Sequence, residues 1–269
     1  MMRFSVLMSL YSRENPEYLR QCLQSLVVQT CPIGQIVLVY DGDVGEALEA
    51  VVAEFTQLPL HIVRLPENVG LGHALNAGLA QCDYDWVFRM DSDDVCVPER
   101  FAKQCEFIQK NSEIKLFGGQ IAEYDTELKQ QIGLRQVPLN DADIRQFAQK
   151  RNPFNHMTVA YRKSTVEAVG AYQHHLYMED YNLWLRILAN GVQTANLPEV
   201  LVKARTGNNM LTRRRGIDYI RSEWQLFQLK RRLHLQKPLP ASYLFIIRSL
   251  TRLLPVSWLQ HIYQSLRSK

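Results

Sequence analysis

The sequence predicts an α/β fold in which helices cover a mostly parallel β-sheet. Short apolar, β-branched runs, such as residues 35–40, alternate with segments whose apolar residues recur at helical spacing. That alternation is typical of strand–helix–strand units, whose strands lie parallel in one sheet. A chain of 269 residues, with 46% hydrophobic and 22% charged residues, is large enough for one such domain and an appendage.

The first half of the chain alternates regularly between the two patterns. Asn15 and Pro16 predict a helix start, with Asn15 as the N-cap and Pro16 in the first helical position. The glycines of the turn at 68–72 precede a second helical pattern that runs through Leu79. The strands predicted in this half are residues 4–9, 35–40, 60–64 and 85–90.

The second half mixes strands and helices until its character changes after Arg205. Strands are predicted at residues 115–122, 132–137 and 157–161. Two helices are predicted from Pro98 to Lys110 and from Asn140 or Asp141 to Gln149. A third helix, within residues 166–172, ends at Gly170, and a fourth begins at Glu179 and ends at Asn190-Gly191. Beyond 205, two amphipathic helices, at 213–235 and 243–266, flank a break at 237–240. The apolar stripe predicted for the first of them is Ile217, Ile220, Trp224 and Phe227.

Charge is distributed unevenly along the chain. The net charge is +4, but residues 203–269 carry 14 Lys/Arg and two acids, whereas residues 1–202 carry 17 Lys/Arg and 25 Asp/Glu. An acidic body with a basic tail suits an anionic partner, which could be a membrane surface, a nucleic acid or a diphosphate.

The five cysteines predict reduced thiols, because their number is odd and no C-x-x-C pair is present. The wholly apolar runs are far shorter than the ~18 residues of a membrane span. No signal-like segment is visible at residues 1–10, so we expect a cytoplasmic protein.

Three carboxylates, those of Asp91, Asp93 and Asp94, directly follow the apolar run 86–88. Carboxylates that share a site repel one another, and burying them unpaired is costly. A divalent cation would offset this repulsion, and ligands that are all oxygen suit Mg²⁺ or Mn²⁺. The alternative is an Asp-rich turn that caps the helix starting near Pro98.

Asp41 also follows a predicted strand. We therefore expect it at the same edge of the sheet as the acidic cluster, where both would face one crevice. Its carboxylate could accept a hydrogen bond from an N–H of a nucleobase, or it could cap a turn with Gly42. The backbone amides around Gly70 either approach an anion at the start of the next helix or form a plain turn.

Three further positions each have two interpretations. Arg89 either neutralises the acids or contacts a phosphate, and strand alternation places it on the same face as Asp91. Glu179 and Asp180 either complement the helix dipole or supply a general base that takes a proton from an attacking hydroxyl. His156 either binds a phosphate or is a solvated loop histidine.

Five motifs occur in a specific order along the chain. They are residues 5–9 with Tyr11, residues 36–42, residues 68–78, residues 89–94 and residues 178–186. In order and spacing, over roughly residues 3–205, the sequence resembles glycosyltransferase family 2, the inverting enzymes of GT-A fold. The resemblance implies a GT-A catalytic domain at 1–205, with a Rossmann-like sheet, and a basic amphipathic helical tail at 206–269.

The resemblance also implies roles in binding the donor. Asp41 would contact the uracil of a UDP-sugar, with Ser9 and Tyr11 flanking the base. Asp91-Ser92-Asp93 matches the family's D-x-D motif, in which Asp93 holds Mn²⁺ or Mg²⁺ and Asp91 approaches the metal and the ribose or sugar.

The remaining donor residues implied by the resemblance are Asn68, Gly70 and Arg89. Asp180, beside Glu179, matches the general base. Asp180 would deprotonate an acceptor hydroxyl, which attacks C1 of the donor sugar from the opposite face and inverts the anomeric centre. The metal would stabilise charge on the UDP leaving group, and inverting glycosidases follow the same in-line logic.

Residues 152–158 and 205–216 look like the bacterial subgroup that builds O-antigen and exopolysaccharide repeat units, including amylovoran-type transferases. This implies transfer of Glc or Gal to GlcNAc or GalNAc on diphospho-undecaprenol, with His156, Arg205 and 213–215 near phosphates. The tail would lie peripherally on the inner face of the cytoplasmic membrane. Its alternative is ordinary packing on the catalytic domain.

Two other classes of protein fit less well. A nucleotidyltransferase would carry a Gly-rich, basic triphosphate loop after the first strand, where residues 11–16 do not fit. A nucleic-acid-binding protein would interleave stacking aromatics with basic residues on a β surface. The aromatics of the tail lie on helical stripes instead, so we expect no nucleic-acid partner.

Overall fold

The computed structural model describes residues 2–206 and 216–252, and within them one sheet forms the centre of the fold. Its strands are β1 (Ser5–Leu10), β2 (Gln35–Tyr40), β3 (Leu60–Arg64), β4 (Trp86–Arg89), β5 (Val95–Cys96), β6 (Leu116–Tyr124), β7 (Gln131–Arg135), β8 (Ala160–Arg162) and β9 (Thr194–Arg205). The helices are α1 (Pro16–Val27), α2 (Glu46–Ala53), α3 (Leu71–Ala80), α4 (Arg100–Lys110), α5 (Asp141–Ala148), α6 (Lys163–Ala168), α7 (Glu179–Ala189), α8 (Ile217–Arg232) and α9 (Pro238–Arg252).

The sheet is mixed but mostly parallel, which confirms the predicted fold class. Its order is β3-β2-β1-β4-β8-β6-β9-β5, with β7 paired to β6. Strands β3, β2, β1 and β4 pair in parallel, as do β6 and β9, whereas β5, β7 and β8 run antiparallel to the strands they pair with. The carboxyl ends of β1, β2 and β4 therefore lie at one edge of the sheet.

Helices cover both faces of the sheet. On one face, α1, α2 and α4 bury side chains such as Leu23 and Phe101, and on the other α3, α5 and α7 bury Leu75 and Leu183. Helix α3 approaches the strands closely, because a Cβ on Gly78 would lie 2.5 Å from side-chain atoms of β1 and β2. The five cysteines are buried free thiols, as predicted.

The two side-chain caps that the sequence indicates are present. Asn15 accepts the N–H of Glu17 at 2.8 Å at the start of α1, where Pro16 takes the first position. Asn140, rather than Asp141, caps α5 by accepting the N–H of Asp143 at 3.0 Å. These bonds satisfy helix N–H groups that have no partner within the helix.

Sequence patterns do not identify α2, β5 and β9. Strand β9 lacks regular alternation, because Pro198 interrupts it between Asn196 and Val200, where the pairing register with β6 shifts. Proline cannot donate to a ladder, so it lies at such an irregularity. Helix α2 starts after Gly45 without a side-chain cap.

The tail differs in two details from the sequence-based expectation. The break precedes Pro238, which begins α9 in the position where proline suits a helix. The face of α8 that packs with α7 contains Tyr219, Leu226 and Leu229. Of the predicted stripe, Ile217 is exposed, whereas Trp224 and Phe227 pack against Phe245 of α9. The apolar residues of α8 therefore contact two neighbouring helices and do not form a single stripe.

Parts of the predicted tail helices, residues 213–215 and 253–266, lie outside the described residues. Among the residues that are described, no helix combines the length and apolar character needed to cross a membrane.

Candidate active site

The acidic cluster lies in the turn that follows β4. One carboxylate oxygen from each of Asp91, Asp93 and Asp94 can be chosen so that all three lie within 4.8 Å of one another. Asp94 is buried, and Asp91 and Asp93 are half-buried. Ser92 donates a hydrogen bond of 2.7 Å to Glu14, in the loop after β1, which brings a fourth carboxylate to the turn.

Burial and mutual repulsion raise the pKa values of two acids in this cluster. Burial raises the pKa of Asp93 to about 7, and the charges of Asp91 and Glu14 add to the rise. Burial, with the charges of Asp93 and Asp91, also raises the pKa of Asp94 well above its ordinary value. Carboxylates in such a group cannot all ionise without a compensating positive charge.

Two arginines contribute positive charge but are already engaged by the protein. Arg89 is buried, forms an ion pair with Asp91 and donates to the carbonyl of Met90, so it offsets part of the acidic charge, and its implied contact with the donor remains a prediction. Arg205, at the end of β9, donates from its side chain to the carbonyl of Asp93 and from its backbone N–H to Asp94 at 2.9 Å.

The guanidinium of Arg205 is also held from the other side. It donates to Gln21 and to the carbonyl of Thr126 and lies 4.2 Å from the ring centroid of Tyr18. It therefore clamps the acidic turn between α1 and the loop after β6. Its implied contact with a phosphate remains a prediction.

Asp41 connects two loops at the same edge of the sheet. Its carboxylate accepts the backbone N–H groups of Val69 at 2.7 Å and Gly70 at 3.1 Å. Gly70 has φ +83°, a conformation that favours glycine. Asn68 donates to the carbonyl of Asp41 at 3.2 Å. In the structure these amides bind Asp41, and their contact with a donor remains a prediction.

The predicted base lies at the start of α7. Asn152 donates to Oδ2 of Asp180 at 2.6 Å, and the N–H of Tyr181 donates to Oδ1 at 2.7 Å. Burial, with the charge of Asp180, raises the pKa of Glu179. The side chain of Glu179 packs against Gly72, near the start of α3, so the turn at residues 68–72 lies next to the predicted base.

His156 lies near both the acidic turn and the predicted base. Its Nε2 is 3.1 Å from the hydroxyl of Tyr172. Burial and Arg89 lower the pKa of His156 to about 4, against opposing effects of Asp180 and Asp91. His156 is therefore a half-buried ring whose neutral form is favoured, rather than the solvated loop histidine of the alternative interpretation, and its implied contact with a phosphate remains a prediction.

The structure thus brings most of the sequence-predicted residues to one edge of the sheet. Ser9 is half-buried near the end of β1, and Tyr11 is exposed just after it. Sequence reasoning missed Glu14 and Tyr172. Glu14 could have been found, because it follows a predicted strand, whereas Tyr172 carries no local signal.

The residues present fit a hard divalent cation. Three carboxylates offer oxygen ligands at close separation, and the raised pKa values show that arginine charge does not fully compensate them. Oxygen ligands of this kind suit Mg²⁺ and Mn²⁺.

The fold is GT-A. S. aureus TarS 1-349 in complex with UDP-GlcNAc matches this chain with a TM-score of 0.67 at 19% identity, over 93% of this chain and 72% of that chain. At this identity the likeness shows the fold alone.

Sequence comparison defines the family. Residues 5–170 match the model of glycosyl transferase family 2. The chain is 51% identical over 262 residues to the amylovoran biosynthesis glycosyltransferase AmsE of Erwinia amylovora, covering 97% of this chain and 98% of AmsE. It is 35% identical over 268 residues to the UDP-Gal:alpha-D-GlcNAc-diphosphoundecaprenol beta-1,3-galactosyltransferase of Escherichia coli, covering 97% and 95% respectively. The chain belongs to glycosyltransferase family 2, which supports neither the nucleotidyltransferase nor the nucleic-acid-binding alternative.

Proposed function

We propose that the protein is an inverting hexosyltransferase of surface polysaccharide synthesis. It moves Glc or Gal from a UDP-sugar to a hydroxyl of GlcNAc or GalNAc on diphospho-undecaprenol. The names of the two relatives support the pathway and the acceptor class. The observation that carries the proposal is that the acidic turn and the carboxylate at the start of α7 lie near one ring, since Asp91 and Asp180 both interact electrostatically with His156.

In this proposal the two acidic centres have separate tasks. Asp93 and Asp91 hold Mn²⁺ or Mg²⁺, which neutralises charge on the leaving diphosphate when bound. Asp41 orients the nucleobase at the end of β2. Asp180 accepts the proton of the acceptor hydroxyl, and its two observed hydrogen bonds leave further lone pairs for that proton.

Attack from the side of Asp180 gives a β-linked product from an α-linked donor. The base and the leaving group must lie on opposite faces of the sugar in a single displacement. Asp180 lies at the start of α7 and Asp91 in the turn after β4, and these different elements support separate places for the base and the leaving group.

Two variants test the assignment. Asp180→Asn should retain UDP-sugar binding and lose transfer by about 10²–10⁴-fold, because a positioned base contributes that much. Asp93→Ala should lose metal-dependent turnover. Asp218→Asn, an exposed substitution on α8, is the matched control. Full activity of Asp93→Ala would remove the metal assignment, and loss of donor binding in Asp180→Asn would make that residue structural.

The division at residue 205 separates the catalytic domain from a tail that binds the inner face of the cytoplasmic membrane. Helix α9 presents exposed apolar residues at spacings of four, three, one and three. They are Leu239, Tyr243, Ile246, Ile247 and Leu250. Such a face, next to basic residues, suits the interface of an anionic bilayer.

The described part of the tail also packs on the catalytic domain, through the buried face of α8. Substitutions on the exposed face of α9 therefore test membrane binding more specifically than truncation of the tail after residue 205, which would also remove the packing of α8. Ile246→Ser with Leu250→Ser should weaken sedimentation with vesicles of anionic phospholipid, while UDP-sugar binding stays unchanged. Undiminished sedimentation would contradict membrane binding through this face.

A further inference from the structure

The hydrogen bond between Asn152 and Asp180 has a defined direction. Oδ1 of Asn152 accepts the backbone N–H of Phe154 at 3.2 Å. That bond assigns the carbonyl end of the amide, so its NH₂ end faces Oδ2 of Asp180, 2.6 Å away. The side chain of Asn152 is thus a fixed donor to this carboxylate.

The loop that carries Asn152 is anchored on both sides. Phe154 is fully buried and packs edge-on against Trp184 of α7, with ring centroids 5.7 Å apart. The carbonyl of Pro153 accepts from Asn196 of β9 at 3.1 Å. Asn152 therefore has a rigid backbone beneath it, on elements that also hold α7.

We propose that Asn152 is a positioning residue for Asp180, an inference that rests on the proposed role of Asp180 as the base. Asn152 and the N–H of Tyr181 together fix the rotation of the carboxylate. A base must be correctly aimed before it can accept the acceptor's proton.

Other titratable groups act on the same carboxylate. Those that interact with Asp180 electrostatically are Glu179, His156, Tyr172, His175 and Tyr181. Arg89 and Asp91 also act electrostatically on His156 and Tyr172. Asn152 differs from these titratable groups because it does not ionise and because its side chain donates directly to Asp180.

The split between kcat and KM separates positioning from a structural role. Asn152→Ala should lower kcat about tenfold, because the carboxylate loses the bond that fixes its rotation. The KM for UDP-sugar should stay within about twofold. Asn111→Ala, at the end of α4 on the opposite edge of the sheet, is the control, since it removes only a bond to the carbonyl of Phe107.

Asn152→Asp keeps the shape of the side chain and serves if the alanine variant fails to fold. It places a second carboxylate beside Asp180, so kcat should fall on the order of 100-fold at neutral pH. An unchanged kcat in Asn152→Ala, or an Asn152→Asp variant as active as wild type, would overturn the proposal.

Asp180→Asn, measured alongside, distinguishes the two claims. An inactive Asp180→Asn together with an unchanged kcat in Asn152→Ala rejects only the role of Asn152. A fully active Asp180→Asn rejects the base itself, and with it this inference.

Discussion

Replacing Asp93 with asparagine should stabilise the metal-free protein while abolishing its response to metal. The pKa of Asp93 is raised from 3.8 to about 7 by burial and by Asp91 and Glu14. Between those two values the folded protein keeps a proton that the unfolded chain has released. The free energy of unfolding therefore falls as pH rises through this interval, and it levels off above about pH 7.

The structure sets the size of the effect. At ~1.36 kcal/mol for each pKa unit, the step from 3.8 to about 7 amounts to roughly 4 kcal/mol at pH 8. The asparagine side chain of the variant cannot ionise and avoids this penalty, but a half-buried amide without ideal partners costs about 1–3 kcal/mol. A net gain of about 2 kcal/mol remains, or roughly 4–8 °C in Tm.

Thermal unfolding in EDTA at pH 5 and pH 8 measures this directly. Asp93→Asn should exceed wild type in Tm at pH 8 and lose that advantage at pH 5, where wild-type Asp93 is protonated. Added Mn²⁺ should raise the Tm of wild type only. Asp218→Asn, which replaces an exposed carboxylate paired with Arg221, should change Tm little at either pH. Equal Tm values of Asp93→Asn and wild type at pH 8, or the same Tm difference at both pH values, would contradict a raised pKa of Asp93.

Three further predictions concern other parts of the molecule. Glu223→Ala should cost about 3 kcal/mol of unfolding free energy in chemical denaturation, because buried Arg252 loses its carboxylate partner, whereas Arg221→Ala should cost under about 0.5 kcal/mol. The ring of His156 should show no titration by NMR between pH 6 and 8, because its pKa is lowered to about 4, and its contribution to stability should be lost only as pH falls from 6.5 towards 4; a midpoint near 6.5 would contradict this. Arg205→Gln should weaken Mn²⁺ binding roughly tenfold by calorimetry, since it releases the acidic turn, and unchanged affinity would show that the clamp is not needed.

Local patterns predicted much of the fold. Strands β2 and β3 have the bounds expected from their apolar, β-branched runs, and Asn15 and Asn140 cap the helices that follow them. Strand β9 was missed because it pairs with a distant strand and contains Pro198. The stripe predicted for α8 was incomplete for a similar reason, since tertiary contact with α7 buries residues outside it, while two of its own residues pack against α9.

The site was predictable where strand ends determine it. Asp41 and Asp91 follow parallel strands, so the topology rule that ligands bind beyond the carboxyl ends of strands places them together. The bond from Asn152 to Asp180 could not be predicted, because it joins two distant segments through tertiary packing. Arg205 illustrates the same limit. The family resemblance implied a contact with a phosphate, which remains a prediction, and no local pattern indicated the bonds from Arg205 to Asp93 and Asp94.

The sequence predicts only part of the ion pairing in the tail. Arg248 and Arg252 lie four residues apart, so a helix places them on one face. Their shared partner, Glu223 on α8, is visible only once the two helices pack against each other.

The most direct test of the central claim is transfer from a panel of UDP-sugars to a synthetic GlcNAc-α-diphospho-lipid, with Mn²⁺ or with EDTA. We expect a β-linked disaccharide from one hexose donor, and no product when EDTA removes the metal. An α-linked product, or full transfer in EDTA, would contradict the inverting, metal-dependent mechanism. Absence of any UDP-sugar binding would contradict the assignment of the donor site.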